Sequence, residues 1–166
     1  QEQTLASPPA GIHSPVGPLK EEIIKKILAE EKTQGLSDEW ARLSLNYVEN
    51  ESKFDPSARN DAAGKMNDGS PAGGAGVFQL IPSTAKRYGV SEPILRFDPD
   101  VNIAVGVSMF KEMENRGLSP EQAISEITGS GQKYSGGSKH VNNIVQSFKA
   151  GAYTPDRTTI THVPVS

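Results

Sequence analysis

Every sustained apolar pattern in this sequence repeats at helical spacing, and no pair of alternating runs flanks a hairpin turn, so the chain is predicted to be all-α. Leu19, Ile23, Ile24, Ile27 and Leu28 form the first stripe, opened by Pro18 at a first helical position and closed near Gly35. Glu21 and Glu22 stand four residues before Lys25 and Lys26, a spacing that pairs charges along a helix. Ser37 caps the second helix, Asp38 and Glu39 complement its dipole, and Trp40, Leu43, Tyr47 and Val48 share one face as far as about Ser52. Pro82 opens a short helix that Gly89 closes. Asp98-Pro99 caps a longer one carrying Ile103, Val107, Phe110 and Met113 up to Gly117. Ser119 to Gln122 read as a capping box before Ala123, Ile124 and Ile127. A last helix, from about Ser138 to Lys149, places Val141, Ile144, Val145 and Phe148 on one face before Gly151.

Between the second and third helices, Phe54 to Gly76 is dominated by Asp, Pro, Asn, Gly, Ala and Ser, with no sustained period. A loop of this length inside a compact domain is expected to carry function. The ends differ in kind. Residues 1–17 are rich in Pro, Gly and Ser, and 152–166 are rich in Thr and Pro, so both are expected to be flexible segments flanking a domain over 18–151. Starting at Gln1 with no basic-then-apolar leader, the chain reads as a processed product or a piece of something longer.

Composition removes several function classes. The 17 basic and 20 acidic residues are spread along the chain for a net charge of -3, which leaves no basic footprint for nucleic acid. No apolar run approaches the ~20 residues of a membrane span. The absence of cysteine removes disulfides, thiol nucleophiles and Cys-based metal sites.

One carboxylate stands out by its direction. A helix turns about 100° per residue, so Glu51, eleven positions after Trp40, returns to within roughly 20° of it, on the face of Leu43 and Tyr47. Glu49 points the opposite way. Partial desolvation at the end of an apolar stripe raises a carboxyl pKa and suits it to donate a proton near neutral pH. Helix ends also carry solvated glutamates, so the face alone assigns no activity. Further on, Gly73-Gly74-Ala75-Gly76-Val77-Phe78-Gln79 permits close backbone approach to a ligand, with the Gln79 amide as donor and acceptor, although the same glycines suit a turn entering a buried segment. The phosphate-loop pattern is absent.

Three motifs then fall in a telling order. Glu51-Ser52-Lys53-Phe54-Asp55-Pro56, Gly76-Val77-Phe78-Gln79-Leu80-Ile81-Pro82-Ser83-Thr84-Ala85 and Asp98-Pro99-Asp100-Val101-Asn102-Ile103-Ala104-Val105-Gly106 resemble the soluble lytic transglycosylase family, over roughly Ser37 to Phe148. The first helix, 18–36, lies outside that match. The resemblance implies a goose-type-lysozyme-like helical domain with a long active-site loop. It implies Glu51 as the single catalytic acid, Ser52 as its companion, and Gly76, Val77, Phe78 and Gln79 as the substrate-groove motif. Either Asn60 or Ser70 matches the family's groove Ser/Asn, and about ten residues including Lys65 to Gly69 are inserted. Glu126-Ile127-Thr128 occupies the stretch where the family usually has Ala-Tyr-Asn, so Ile127 replaces an expected aromatic hydroxyl, and Tyr134 is the candidate to supply one from the next loop.

The implied reaction is cleavage of peptidoglycan between N-acetylmuramic acid and N-acetylglucosamine, leaving 1,6-anhydromuramyl ends without a metal or other cofactor. The alternatives are hydrolysis with Asp55 or Asp61 activating water, and a glycan-binding or structural module that keeps the fold without turnover. The expected partner is the glycan strand, and the expected setting is a longer protein or larger assembly at the cell envelope, in the periplasm or in a phage virion.

Overall fold

A computed structural model describes residues 18–128 and 135–154. Among the described residues six α-helices account for the architecture: α1 (Pro18–Gln34), α2 (Asp38–Ser52), α3 (Pro82–Arg87), α4 (Pro99–Asn115), α5 (Pro120–Thr128) and α6 (Ser135–Lys149), with a 3₁₀ helix at Pro93–Phe97. No strand occurs among the described residues; β-geometry is confined to isolated bridges such as Arg59 to Ala75 and Lys65 to Pro71. The all-α expectation holds.

Local chemistry sets most helix ends where the sequence places them. Ser37 accepts a hydrogen bond from the Trp40 amide, and Asp98 accepts from Asp100 and Val101 with Pro99 in the first turn. Ser119 and Gln122 exchange the two bonds of a capping box. Two elements depart from expectation. The 3₁₀ helix at Pro93–Phe97 was not foreseen, because it is too short for a period. α6 begins at Ser135 instead of about Ser138, because Ser135-Gly-Gly-Ser precedes the stripe that starts at Val141 and announces nothing.

α1 lies chiefly along α4 and also meets α2. Its stripe Ile23, Ile24 and Ile27 is buried, so the first helix completes the core. Phe110 of α4 is the hub of an aromatic cluster: its ring centroid lies 5.5 Å from Tyr47, 6.1 Å from Phe78 and 6.5 Å from Trp40. α2 and α6 run antiparallel, as their cross-links show: Arg42 donates to the Phe148 carbonyl, Ser147 donates to Asn46, and Asn50 reaches His140. Residues 152–154 stay packed past Gly151. The Ala152 carbonyl accepts from Arg42 and Asn46, and Tyr153 donates to Glu49 with its ring against Phe54.

One buried polar group is unusual. Glu31 of α1 is 2% exposed, bonded to the Ser44 hydroxyl of α2, and its Oε1 has no partner among the described residues. Burial pushes its pKa up to about 8, with the Ser44 bond opposing. Ser44 also contacts the Ala41 carbonyl, and a hydroxyl has one hydrogen to give. A neutral Glu31 carboxyl supplies the second proton.

This carboxyl makes stability depend on pH. Its folded pKa lies above the unfolded value, so the native state holds a proton that the unfolded chain releases between about pH 4.5 and 8. Stability is full below that window and falls through it, by on the order of 1.4 kcal/mol per pH unit. Thermal melts from pH 5 to 8 should show a shallower decline for Glu31→Gln than for wild type, with the variant more stable at pH 8. Parallel declines would contradict a neutral Glu31.

Candidate active site

Glu51 sits in the last turn of α2, on the face that carries Tyr47 into the core. Its side chain is only 17% exposed. His140, in the second turn of α6, brings Nε2 into hydrogen-bonding contact with Glu51 Oε2, and the Asn50 amide lies 3.1 Å from His140 Nδ1. Burial raises the Glu51 pKa above the ordinary carboxylate range, while the charge and hydrogen bond of His140 pull it down. A carboxyl held this way can carry a proton at higher pH than a solvated one.

Beside Glu51 runs the turn Ala75 to Leu80, and its backbone is held from three sides. Ser52 donates to the Val77 carbonyl at 2.7 Å and Tyr47 to the Phe78 carbonyl at 3.0 Å. From α4, Asn102 accepts from the Phe78 amide at 2.7 Å and donates to the Ala75 and Arg96 carbonyls. Gly76 has φ +80, and a Cβ there would come within 2.4 Å of both the Arg96 carbonyl and the Asn102 amide. One helical turn beyond Asn102, Gly106 leaves room for the Phe78 ring; a Cβ would lie 2.1 Å from it. The three sequence motifs are therefore one physical unit: α2 and α4 grip the turn between them.

Arg96 fixes the long loop. Its side chain is fully buried and donates to the carbonyls of Pro71, Gly73, Leu80 and Pro93 and to the Ser70 hydroxyl. The inserted residues Lys65 to Gly69 form the tip of an irregular hairpin, closed by bonds such as Met66 to Ser70 and Ala72 to Gly64. Asp68 anchors that tip by accepting from Ser70 and from the Ile94 amide, contacts that hold its carboxyl below the usual range.

A cleft of about 340 Å³ opens next to the turn. Tyr47, Gln79, Thr84, Met109 and Ile127 line it, with Arg87, Glu112 and Glu126 adding charge. Glu51 lies one turn beyond Tyr47 on the same face of α2. That volume falls at the small end of the roughly 300–1,000 Å³ typical of ligand sites.

The structure gathers Glu51, Ser52, Gly76, Val77, Phe78 and Gln79 and sets Asn60 and Ser70 apart in the loop. Ser52, Ser70, Val77 and Phe78 are buried, both serine hydroxyls are engaged within the protein, and Phe78 borders the cleft. Asn60 is exposed, although its Oδ1 accepts from Ala62. Gln79 lines the cleft at φ +49, its amide nitrogen donating to Ala58 and Gly76. Ile127 does face the cleft, so the position expected to bear a hydroxyl is apolar. Tyr134 lies outside the described residues. Of the two carboxylates considered for water activation, Asp55 caps a turn through Ser57 and Asp61 pairs with Arg59.

Sequence reasoning missed His140 and Arg96 as site residues. Neither has a local signature, since His140 meets Glu51 across 89 residues and Arg96 sits in a segment without a period. Tyr47 and Asn102 were visible only as a stripe residue and a motif member.

Comparison with known families matches the transglycosylase SLT domain over residues 30–154. That span exceeds Ser37 to Phe148 at both ends, taking in the last turn of α1 and the packed Tyr153. No curated protein and no solved structure matches the chain.

The close approach of Phe78 to α4 sets a test. Gly106→Ala would gain up to about 1 kcal/mol of helix propensity but must displace a buried ring, costing roughly 1–3 kcal/mol. Urea unfolding should show net destabilisation; a variant as stable as wild type would mean that the ring has room.

Proposed function

The chain belongs to the transglycosylase SLT family of peptidoglycan-degrading enzymes, and on that premise we propose that Glu51 is its catalytic acid, cleaving the β-1,4 bond between N-acetylmuramic acid and N-acetylglucosamine. The observation that carries this reading is the Glu51 carboxyl itself, only 17% exposed and raised in pKa by burial, one helical turn beyond Tyr47, which lines a ligand-sized cleft that Glu51 itself does not line.

Cleavage of a glycosidic bond builds positive charge at C1 and negative charge on the leaving oxygen. Glu51 protonates that oxygen. Its carboxylate then takes the proton of the muramic acid C6 hydroxyl as that oxygen bonds to C1, with the substrate's acetamido group assisting, and a 1,6-anhydro end results. The attacking hydroxyl is part of the bound sugar, so its effective concentration is large and one protein carboxylate can serve both proton transfers. Ser52, Tyr47 and Asn102 hold the turn that presents Gln79 to the sugar, and Asn60 is one of the exposed polar side chains of the loop, available to a glycan. Asp55 and Asp61 are both engaged elsewhere, which favours the intramolecular hydroxyl over water. The role fits local opening of the cell wall from the envelope or from a virion. No helix among the described residues is long and apolar enough to cross a membrane.

Incubation with purified sacculi, followed by mass spectrometry of the released muropeptides, tests the proposal. Wild type should release anhydro products that resist borohydride reduction, and Glu51→Gln should lower the rate by about 10²–10⁴-fold. Reducible muramic ends would instead establish hydrolysis, and equal rates in the two proteins would remove Glu51 from the reaction.

A further inference from the structure

A histidine faces the reactive carboxyl, and nothing in the three motifs calls for one. His140 is fixed from α6, whose Val141, Ile144, Val145 and Phe148 are buried and whose C-terminal end is tied to α2 through Arg42 and Asn46. Asn50, the residue before Glu51, points its amide at the ring. An amide nitrogen can only donate, and it lies nearer Nδ1 at 3.1 Å than Nε2 at 3.4 Å, so Nδ1 accepts and Nε2 carries the ring hydrogen. That hydrogen is aimed at Glu51 Oε2.

We propose that His140 is the positioning residue for Glu51, and that the Asn50–His140–Glu51 chain of hydrogen bonds stabilises the carboxylate form, in which Glu51 receives the C6 hydroxyl proton. This rests on the reading of Glu51 as the acid and base. The chain orients a donor toward an acceptor, so it fits the anion that exists after Glu51 has protonated the leaving oxygen. Protonated Glu51 must either release His140 or shift the ring hydrogen to Nδ1, against the Asn50 amide. His140 thus weakens the proton's hold on Glu51 in the acid half of the cycle and steadies the carboxylate for the base half.

Other ionisable groups near Glu51 are few among the described residues. On α2, the Tyr47 phenol is turned to the Phe78 carbonyl and held protonated by burial, while Glu49 is bonded to Tyr153. The neighbouring turn brings Gly76, Val77 and Phe78, none of them ionisable. On α6, Lys139 is exposed beside His140. The titration of Glu51 is therefore set by burial on one side and His140 on the other.

Removing the imidazole leaves burial unopposed, so the Glu51 pKa rises. In His140→Gln the alkaline limb of the pH–kcat profile on sacculi should move up by about one unit, with kcat at the optimum lower by about tenfold. His140→Phe should move the limb the same way and lose more rate, because Gln retains a donor and Phe does not. A purely structural role would lower kcat with unmoved limbs, and profiles that superimpose on wild type after scaling would overturn the proposal. An activity-independent arm uses ¹⁵N spectra of the histidine rings, with His140 assigned by its absence in His140→Gln. Wild type should show hydrogen on Nε2, and Glu51→Gln should shift that resonance; unmoved His140 resonances would overturn the pairing whatever the activity. If they shift but Glu51→Gln cleaves as fast as wild type, the pairing exists while Glu51 is not the acid, and the role of His140 in turnover falls with it.

Discussion

The site depends on how a buried turn of backbone is satisfied. Between Ala75 and Leu80 the chain leaves regular structure while running through the core, where each unpaired amide or carbonyl would cost on the order of 1–3 kcal/mol. Main-chain bonds such as Ala75 to Leu80 meet part of that demand, and Asn102 meets another part, accepting from the Phe78 amide and donating to the Ala75 carbonyl, with a further bond to the Arg96 carbonyl outside the turn. Ser52 and Tyr47 satisfy the next two carbonyls from the opposite helix. α2 thereby bonds to the turn from positions on either side of Glu51, so the Glu51 carboxyl and the turn are held in one frame. Asn102 and Gly106 lie one turn apart on α4, one meeting the backbone of Phe78 and the other its ring.

Arg96 extends the same logic outward. A fully buried guanidinium is costly to desolvate, and no carboxylate forms an ion pair with it among the described residues. Its compensation is five hydrogen bonds, four of them to main-chain carbonyls of the loop and its flanks. The long loop contains almost no apolar surface to bury, so these bonds supply the order that packing supplies elsewhere. The insertion at Lys65 to Gly69 is accommodated because it lengthens the tip of the hairpin beyond that anchor.

At Glu51 two effects of opposite sign compete. Burial favours the neutral acid, and the His140 contact favours the anion. Burial is the larger, so the net shift is upward, yet the anion has a partner in His140. On the proposed reading of Glu51 as first acid and then base, both of its forms are supported. Glu31 is the contrast: only the Ser44 hydroxyl opposes its burial, which pushes its pKa up to about 8, and the group serves helix contact alone.

Much of the fold was legible because its signals are local. Ser37, Asp98 and the Ser119–Gln122 box act within one turn of their own positions, and stripes of 3.6 periodicity state which side of each helix is inward. The direction of Glu51 followed from the same arithmetic. Where the expectations gave way, the deciding contact joined distant segments. The burial of Ser70 against Arg96 and of Phe78 against Gly106 has no local signature, and His140 gave no sign because its meaning lies in a carboxyl 89 residues away. The α-helical class, most helix ends and the inward apolar stripes were determined by the sequence alone, since backbone propensity and apolar spacing act at short range. Which polar groups meet inside, and hence how the carboxyl holds its proton, was decided only by tertiary structure, since burial and hydrogen-bond partners exist only once the helices are packed.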